Sequence, residues 1–324
     1  MKIAVMGTGG VGGYFGGVIA RAGDEVCFIA RGEHLKTMLE QGLRIESVAG
    51  GFGIAIRPVP QPGGPTTAPS EPSGTPVAFA TDDPRTVGQV DLVLFCVKTY
   101  DTEAASKAVF PLVGPPTLLL SLQNGVDSAD KLGRDHGRNH VLGGATYIYT
   151  ALTGPGVITH SGGPGKIIWG ELDGTVSERI SRVKETFDRA GITHEISKDI
   201  RRALWEKFAM ICANGGMSAL TRATLGEMLA RDETRSMMEK AMREVVNVGA
   251  GEGIQFDGRF VEKTMKFLST LEPNGRASLY TDLVNNRRME LASLNGRVVQ
   301  LAKKHGLPVP MNFAIYAALL PHLK

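Results

Sequence analysis

The chain has 324 residues, 42% hydrophobic and 21% charged, and 36 Lys and Arg against 33 Asp and Glu give a net charge of +3. That length exceeds what one hydrophobic core usually serves, so two domains are expected, and the near-neutral charge, with no basic arm or stripe, argues against nucleic acid as the partner. Three cysteines, Cys27, Cys96 and Cys212, stand far apart without a CxxC pair, which disfavours a disulfide framework or a structural metal site.

The longest apolar run, Phe313 to Leu320, is far short of the ~20 residues a membrane-spanning helix needs. The amino terminus reaches Gly7 before a signal-peptide core could form. A soluble, reduced, cytoplasmic protein with no membrane partner is expected. Glycine, at 41 of 324 residues, is roughly twice as frequent as the ~7% of average usage, and much of the excess lies in the first half. Loops whose backbone approaches a ligand closely are one reason for such an excess.

Lys2 to Met6 form a short apolar run, followed without a gap by Gly7-Thr8-Gly9-Gly10-Val11-Gly12. Val11, Phe15, Val18 and Ile19 then recur at helical spacing, Ala22-Gly23 marks a stop, and Glu25 to Ala30 reads as a second strand. Strand, glycine turn, helix and strand within about 30 residues is the context in which GxGxxG signals a dinucleotide site. Gly7 makes the tight turn, Gly9 admits a pyrophosphate to the backbone, and Gly12 lets helix and strand pack closely. The helix amino terminus offers unpaired N–H groups to phosphates.

At the end of the second strand an enzyme for NAD usually carries Asp or Glu, whereas Arg accommodates a 2′-phosphate. Here Ala30-Arg31-Gly32 has no acid, which points to NADP(H). Arg31 would pair the phosphate, with His34 and Lys36 as weaker helpers; the alternative is that Arg31 is a solvated charge at a loop. Residues 58–76 contain seven prolines and three glycines in 19 positions, which reads as a surface-loop insertion, mobile or polyproline-like.

Asp91 to Val97 is a continuous apolar run, as in a strand buried on both faces of a parallel sheet, and ends in Lys98. Thr117 to Leu122 is another, ending in Gln123-Asn124-Gly125. Ligands of open parallel sheets sit beyond the carboxyl ends of the strands, which brings Lys98 and Asn124 toward cofactor or substrate. Asn-Gly is equally a common turn pair. Val141 to Ile148, Gly156 to His160 and Ile167 to Gly170 alternate between glycines and read as a more antiparallel end of the same sheet.

From Ser197 onward the periodicity is helical to the end. Ile200, Leu204, Phe208 and Ile211 mark an apolar stripe, with Lys207 on its border beside Trp205 and Phe208. Partial desolvation there would lower the lysine pKa into a range useful for proton transfer; by itself, a lysine that snorkels to water is the simpler account. Asn214-Gly215-Gly216 reads as a break in the helix where backbone could approach a ligand. Leu291, Leu294, Val298 and Leu301 form a further stripe with Glu290 at its edge and Gly296 inside it, a hint of close packing. No HExxH, GxSxG or His-carboxylate cluster suggests a metal or a hydrolase.

In this order and spacing the residues resemble the ketopantoate reductase (2-dehydropantoate 2-reductase) family over nearly the whole chain. The resemblance rests on Gly7 to Gly12, Arg31, Val97-Lys98-Thr99, Gln123-Asn124-Gly125, Leu204-Trp205-Glu206-Lys207, Ser278 with Asp282, Arg288-Met289-Glu290, Leu294-Asn295-Gly296 and Gly306-Leu307-Pro308-Val309-Pro310. It implies an α/β fold with an amino-terminal Rossmann domain, residues 1–197, and an all-helical carboxyl-terminal domain, residues 198–324, the active site lying in the cleft between them. It further implies hydride transfer from NADPH to a 2-oxo acid, most readily ketopantoate. Lys207 would donate the proton, Glu290 would hold a substrate hydroxyl and orient Lys207, and Ser278, Asn124 and Asn214 would bind substrate. Gly7 to Gly12, Arg31, Lys98, Asn124 and Glu290 would line the coenzyme. A homodimer is compatible with apolar helical faces.

Two departures bear on the substrate. Where family members that reduce ketopantoate often have Asn four residues after the lysine, this chain has Ile211, and after Glu290 it has Leu291-Ala292-Ser293 in place of Ile-Asp-Tyr. A site that loses a polar partner for a hydroxyl loses discrimination for it, so another 2-oxo acid stays open, as does a non-catalytic NADPH sensor.

Overall fold

The computed structural model describes residues 1–60 and 75–323. Most of the 58–76 insertion, residues 61–74, lies outside the described residues. The chain divides into two compact units, one of Met1–Gln123 and Asp127–Ile200, the other of Asn124–Val126 and Arg201–Lys324.

The first unit is built on β1 (Lys2–Met6), α1 (Gly10–Arg21), β2 (Glu25–Ile29), α2 (Gly32–Gln41), β3 (Leu43–Ser47), β4 (Phe52–Pro58), β5 (Val77–Thr81), β6 (Leu92–Phe95), α3 (Thr102–Ala108), β7 (Leu118–Ser121), α4 (Ser128–His136), β8 (Val141–Gly154), β9 (Val157–Glu171), α5 (Glu178–Arg189) and β10 (Thr193–Ile196). The strands form one sheet in the order β10-β9-β3-β4-β5-β2-β1-β6-β7-β8. Its centre is parallel, β1 lying between β2 and β6. Alternation explains the continuous apolar runs: Ile3 and Val5 pack with Phe15 and Ile19 of α1 on one face, Ala4 and Met6 with Ala105 and Leu132 of α3 and α4 on the other. Both faces are dry, so neither can carry the polar residues of a half-exposed strand.

The three short alternating segments expected over 141–170 are instead two long strands. β8 and β9 pair antiparallel, with register irregularities between Tyr147 and Thr150 and between Leu152 and Gly154. The glycines that suggest separate segments are absorbed by these irregularities, and only Pro155-Gly156 turns the chain. At one end β8 extends the sheet beside β7, and at the other β9 pairs with β3. The ribbon therefore lies against α1, where a Cβ on Gly10 would sit 2.6 Å from the Thr150 carbonyl oxygen and one on Gly13 2.7 Å from Ile158. β3, β4 and β10 have no strong signal in the sequence because their burial patterns mix buried and exposed positions over four to seven residues.

The second unit is helical: α6 (Ile200–Thr221), α7 (Leu225–Ala230), α8 (Asp232–Gly251), α9 (Phe260–Leu268), α10 (Ser278–Val284), α11 (Asn295–His305) and α12 (Pro310–Leu319). Three sequence expectations need correction here. α6 runs unbroken through Asn214-Gly215-Gly216; these glycines serve packing, since a Cβ on Gly216 would meet Ile315 at 2.8 Å and Asn295 at 3.0 Å. The buried stripe of α6 is Trp205, Phe208, Ala209, Cys212, Ala213 and Met217, whereas Leu204 and Ile211 are only half-buried. At ~100° per residue, Lys207, Ile211 and Asn214 lie on the opposite side of the helix from that stripe. The stripe through Leu291 and Leu294 is likewise not one helix: Leu291–Ser293 is a single tight 3-10 turn and α11 starts at Asn295. Gly296 does mark close packing, against the Tyr316 ring at 2.8 Å from its would-be Cβ.

The tightest demand on the first unit is at Gly12, where a Cβ would lie 2.2 Å from the Gly7 carbonyl oxygen and 3.0 Å from Cys96. Backbone cannot rotate aside as a side chain does, so Gly12→Ala is expected to cost ~1–3 kcal/mol and to lower the midpoint of thermal unfolding, measured by circular dichroism, by several degrees. An unchanged midpoint would show that the loop yields freely.

Candidate active site

The glycine loop is shaped by sterics at its ends and is open in its middle. Gly7 sits at φ +99°, and a Cβ there would meet the Val97 amide nitrogen at 2.8 Å. Only glycine meets both conditions without strain. At Gly9, by contrast, a Cβ would have nothing within 4 Å. Gly9 caps α1 without a side-chain bond, and the first turn holds no acid, so the helix presents bare N–H groups and its positive dipole end. Thr8 is buried, its Oγ1 donating to the Ile29 carbonyl at 3.1 Å, which ties the loop to β2. Open ground in front of a helix amino terminus, next to a loop only glycine can form, fits a dinucleotide pyrophosphate.

Arg31 is the N-cap residue of α2, exposed, and its guanidinium makes no ion pair among the described residues. Its expected helpers behave differently. Lys36 is an exposed partner of Glu33 at 3.8 Å. His34 is engaged elsewhere: Nε2 meets the Thr8 carbonyl oxygen at 2.8 Å and Nδ1 accepts from the Gly156 N–H at 2.9 Å. It is therefore no ligand for the phosphate beside Arg31.

Lys98 follows β6 at its carboxyl end, half-buried. A residue to which the sequence assigned no role fixes this turn. Gln123 is buried, and its Nε2 donates to the Val97 carbonyl at 2.8 Å and to Thr102 Oγ1 at 2.9 Å. Its Oε1 and the Ser121 Oγ just before it are buried and without a partner among the described residues. The signal that could have found Gln123 is its position, directly after a strand too apolar to need an amide.

The second unit gathers Lys207, Asn124 and Glu290. Lys207 is only 7% exposed, as is Glu290. The ammonium Nζ donates to Asn124 Oδ1 at 2.8 Å. Burial pushes the Lys207 pKa down to about 8, opposed in part by the Glu290 carboxylate, which favours the charged form. A snorkelling lysine would keep its head in water, whereas Lys207 is buried, so that account fails. Glu290 is held by its backbone, whose carbonyl accepts from the Ser293 and Leu294 amides at 3.2 and 3.1 Å. Asn124 enters this unit as part of a three-residue segment, with a Cβ on Gly125 lying 3.6 Å from the Ser293 carbonyl oxygen.

Asn214 and Ser278 stand further along α6. Asn214 is half-buried, and Ser278, the first residue of α10, is exposed. Gly215 faces Ala277 and Leu279 at 3.8 and 3.9 Å from its would-be Cβ, so Ser278 flanks α6 some two turns, or ~12 Å, beyond Lys207. Asp282 is buried behind it. Among the described residues no group of three His, Cys, Asp or Glu could hold a metal ion, and no helix is long and apolar enough to cross a membrane.

Comparison with known proteins covers both units. Residues 3–174 match the ketopantoate reductase PanE/ApbA family and residues 199–322 its C-terminal part. The chain belongs to this family. A 2-dehydropantoate 2-reductase from Halobacterium salinarum is 31% identical over 312 residues, covering 96% of this chain and 95% of that one. The crystal structure of a PanE/ApbA family ketopantoate reductase from Ralstonia eutropha superimposes with a TM-score of 0.85 at 31% identity, covering 99% and 98% of the two chains. A D-mandelate dehydrogenase solved with NADH and anilino(oxo)acetate shares the fold, with a TM-score of 0.83 at 22% identity over 99% and 98%. The fold is thus the family's Rossmann-like amino-terminal domain with a helical carboxyl-terminal one, and the family consists of NAD(P)-dependent oxidoreductases of the ketopantoate reductase type.

The electrostatics of the buried pair give a signed expectation. Glu290 holds the Lys207 pKa up against burial, so Glu290→Gln removes the raising influence and leaves desolvation alone. The Lys207 pKa, followed by lysine Nζ NMR, is expected to fall from about 8 toward neutrality. A rise, or no movement, would show that the carboxylate does not act on the ammonium.

Proposed function

We propose that the protein reduces a 2-oxo acid to the 2-hydroxy acid with NADPH, ketopantoate to pantoate being the first reaction to test. The observation that carries this reading is the buried Lys207 ammonium, bonded to Asn124 and facing Glu290, with a pKa of about 8. A general acid is most effective when its pKa lies near the working pH, contributing ~10²–10⁴-fold. When bound, the coenzyme supplies the hydride for the carbonyl carbon. Lys207 Nζ gives its proton to the carbonyl oxygen as that oxygen becomes an alkoxide, and its charge stabilises the oxyanion beforehand. Glu290 holds a substrate hydroxyl and keeps the ammonium charged and aimed. Asn124 accepts one of the three Nζ hydrogens, which limits how the lysine can turn, and Ser278 with Asn214 binds the remoter polar groups of the substrate. Gly7 to Gly12 receive the pyrophosphate, Lys98 lies toward the ribose and nicotinamide, and Arg31 takes the 2′-phosphate.

One observation favours a second reading, a reductase of a less polar 2-oxo acid. Ile211, one turn past Lys207 on the same side of α6, is half-buried and offers a branched apolar surface where an amide would hold a hydroxyl. A steady-state assay of ketopantoate and a panel of apolar 2-oxo acids, each with NADPH and NADH, separates the two. Tight coenzyme binding without turnover of any acid would instead indicate a sensor.

Lys207→Ala is expected to lower kcat by at least ~100-fold while the NADPH dissociation constant stays within a few-fold. Near-normal turnover would remove the proton-donor role. Arg31→Asp is expected to weaken NADPH on the order of tenfold or more, and NADH far less, because only the first carries a phosphate for a guanidinium to pair. Equal losses on both coenzymes would remove the 2′-phosphate argument.

A further inference from the structure

We propose that His34 is a coenzyme-positioning residue, a neutral imidazole that fixes the orientation of the Thr8–Gly9 peptide and so turns the glycine loop toward its ligand. The inference rests on the dinucleotide reading above and adds to it a residue that touches no ligand.

The hydrogen-bond pattern identifies the tautomer. The Gly156 N–H can only donate, so His34 Nδ1, 2.9 Å away, must be the acceptor. A neutral imidazole has one N–H, which then lies on Nε2 and donates to the Thr8 carbonyl oxygen at 2.8 Å. Both bonds are satisfied only by the neutral ring; a protonated ring would set two N–H groups face to face at Gly156.

The consequence for the loop follows from peptide geometry. A trans peptide is planar, with C=O and N–H pointing in opposite directions. Drawing the Thr8 carbonyl toward the imidazole therefore turns the Gly9 N–H the other way. Gly9 has open space where a Cβ would be, and a glycine on its carboxyl side lowers the cost of flipping this peptide. A flipped peptide would offer a carbonyl oxygen to an incoming phosphate, a repulsive contact in place of a donor. Thr8 Oγ1, bonded to Ile29, secures the side chain but leaves the carbonyl free to rotate. His34 supplies the missing restraint, and its second nitrogen is anchored on the β8–β9 turn.

Among the described residues, no charged side chain is bonded to the ring. The ring's two partners are backbone groups. Arg31, Glu33 and Lys36 on its own helix are exposed, and Arg44, whose amide bonds the Gly156 carbonyl, carries an exposed side chain paired with Glu46. The glycine loop and the Pro155-Gly156 turn carry no ionisable side chain. Burial, the largest influence, moves the His34 pKa below its usual value.

Binding of NADPH and of NADH to the whole protein, followed by nicotinamide fluorescence, tests the proposal. H34N keeps an acceptor near Gly156 but loses the donor to Thr8, and H34L loses both. Each is expected to raise the dissociation constant of both coenzymes about tenfold, while kcat at saturating coenzyme stays within twofold. An unchanged dissociation constant overturns the proposal, even if the melting temperature falls, because a purely structural role predicts that pattern. Should the variants fail to fold, nitrogen-15 NMR of the wild-type histidines decides: the expected signal is a neutral Nε2–H ring down to below pH 6.5, and the Nδ1–H tautomer or a charged ring at neutral pH overturns it. If the wild type binds neither coenzyme, the dinucleotide reading itself fails, and this inference with it.

Discussion

The second unit is organised around the burial of one positive charge. Removing an ammonium from water is costly unless its lost hydration is replaced, and Lys207 lies on the side of α6 away from the apolar stripe. Its burial is therefore due to what meets the amine. A carbonyl oxygen comes from Asn124, 83 residues earlier, and a carboxylate from Glu290, 83 residues later. The compensation is incomplete: burial lowers the Lys207 pKa more than the Glu290 carboxylate raises it, and the proposed proton transfer depends on that incompleteness. A fully compensated ammonium would hold its proton too tightly to give it to an alkoxide, and an uncompensated one would be neutral at working pH.

How much of this could be read beforehand depended on the range of the interactions. The β1-α1-β2 unit is local, and spacing alone marks Gly7 and Gly12, which meet steric demands within that short stretch, and Gly9, which leaves open space. The central strands were legible because burial on both faces leaves an unbroken apolar run. Lys207 does not stand out on its own helix, where it looks like a border residue; the resemblance to a family singled it out, and the Asn124 and Glu290 side chains that act on it are distant in sequence. Arg31 was read from one missing acid at a strand end, while its neighbour His34 was misassigned as a helper. A histidine near a candidate phosphate site suggests a ligand, and nothing in the sequence reveals that both its nitrogens are already bonded.

The glycine pairs were legible only as anomalies. Glycine in a helix interior costs ~1 kcal/mol relative to alanine, and Gly215-Gly216 therefore reads as a break. In the folded chain the cost is offset by proximity. With no side chain at Gly216, Asn295 reaches the α6 backbone, its Nδ2 donating to the Cys212 carbonyl at 3.1 Å and to Asn312 Oδ1 at 3.0 Å. Asn312 passes the connection on to the Ala241 carbonyl and to Glu244, whose carboxylate also accepts from the Met311 and Asn312 amides at the start of α12.

That chain of amides joins α6, α8, α11 and α12 in a region where apolar packing alone would let helices slide. It is not free of cost, since Asn295 Oδ1 is buried without a partner among the described residues, a loss of ~1–3 kcal/mol for an unsatisfied group. Hydrophobic contact fixes how close two helices lie but not their register, whereas a bond between one amide and one carbonyl fixes both. Asn295 stands five residues after Glu290 and Cys212 five residues after Lys207. Their bond therefore pins the two segments that carry the buried charges to each other, at equal remove from each. A register slip of a single residue along α6 would move Lys207 by ~1.5 Å and turn it by ~100°, enough to take the ammonium off the Asn124 carbonyl oxygen. The polar network in the core is best understood as the device that forbids that slip.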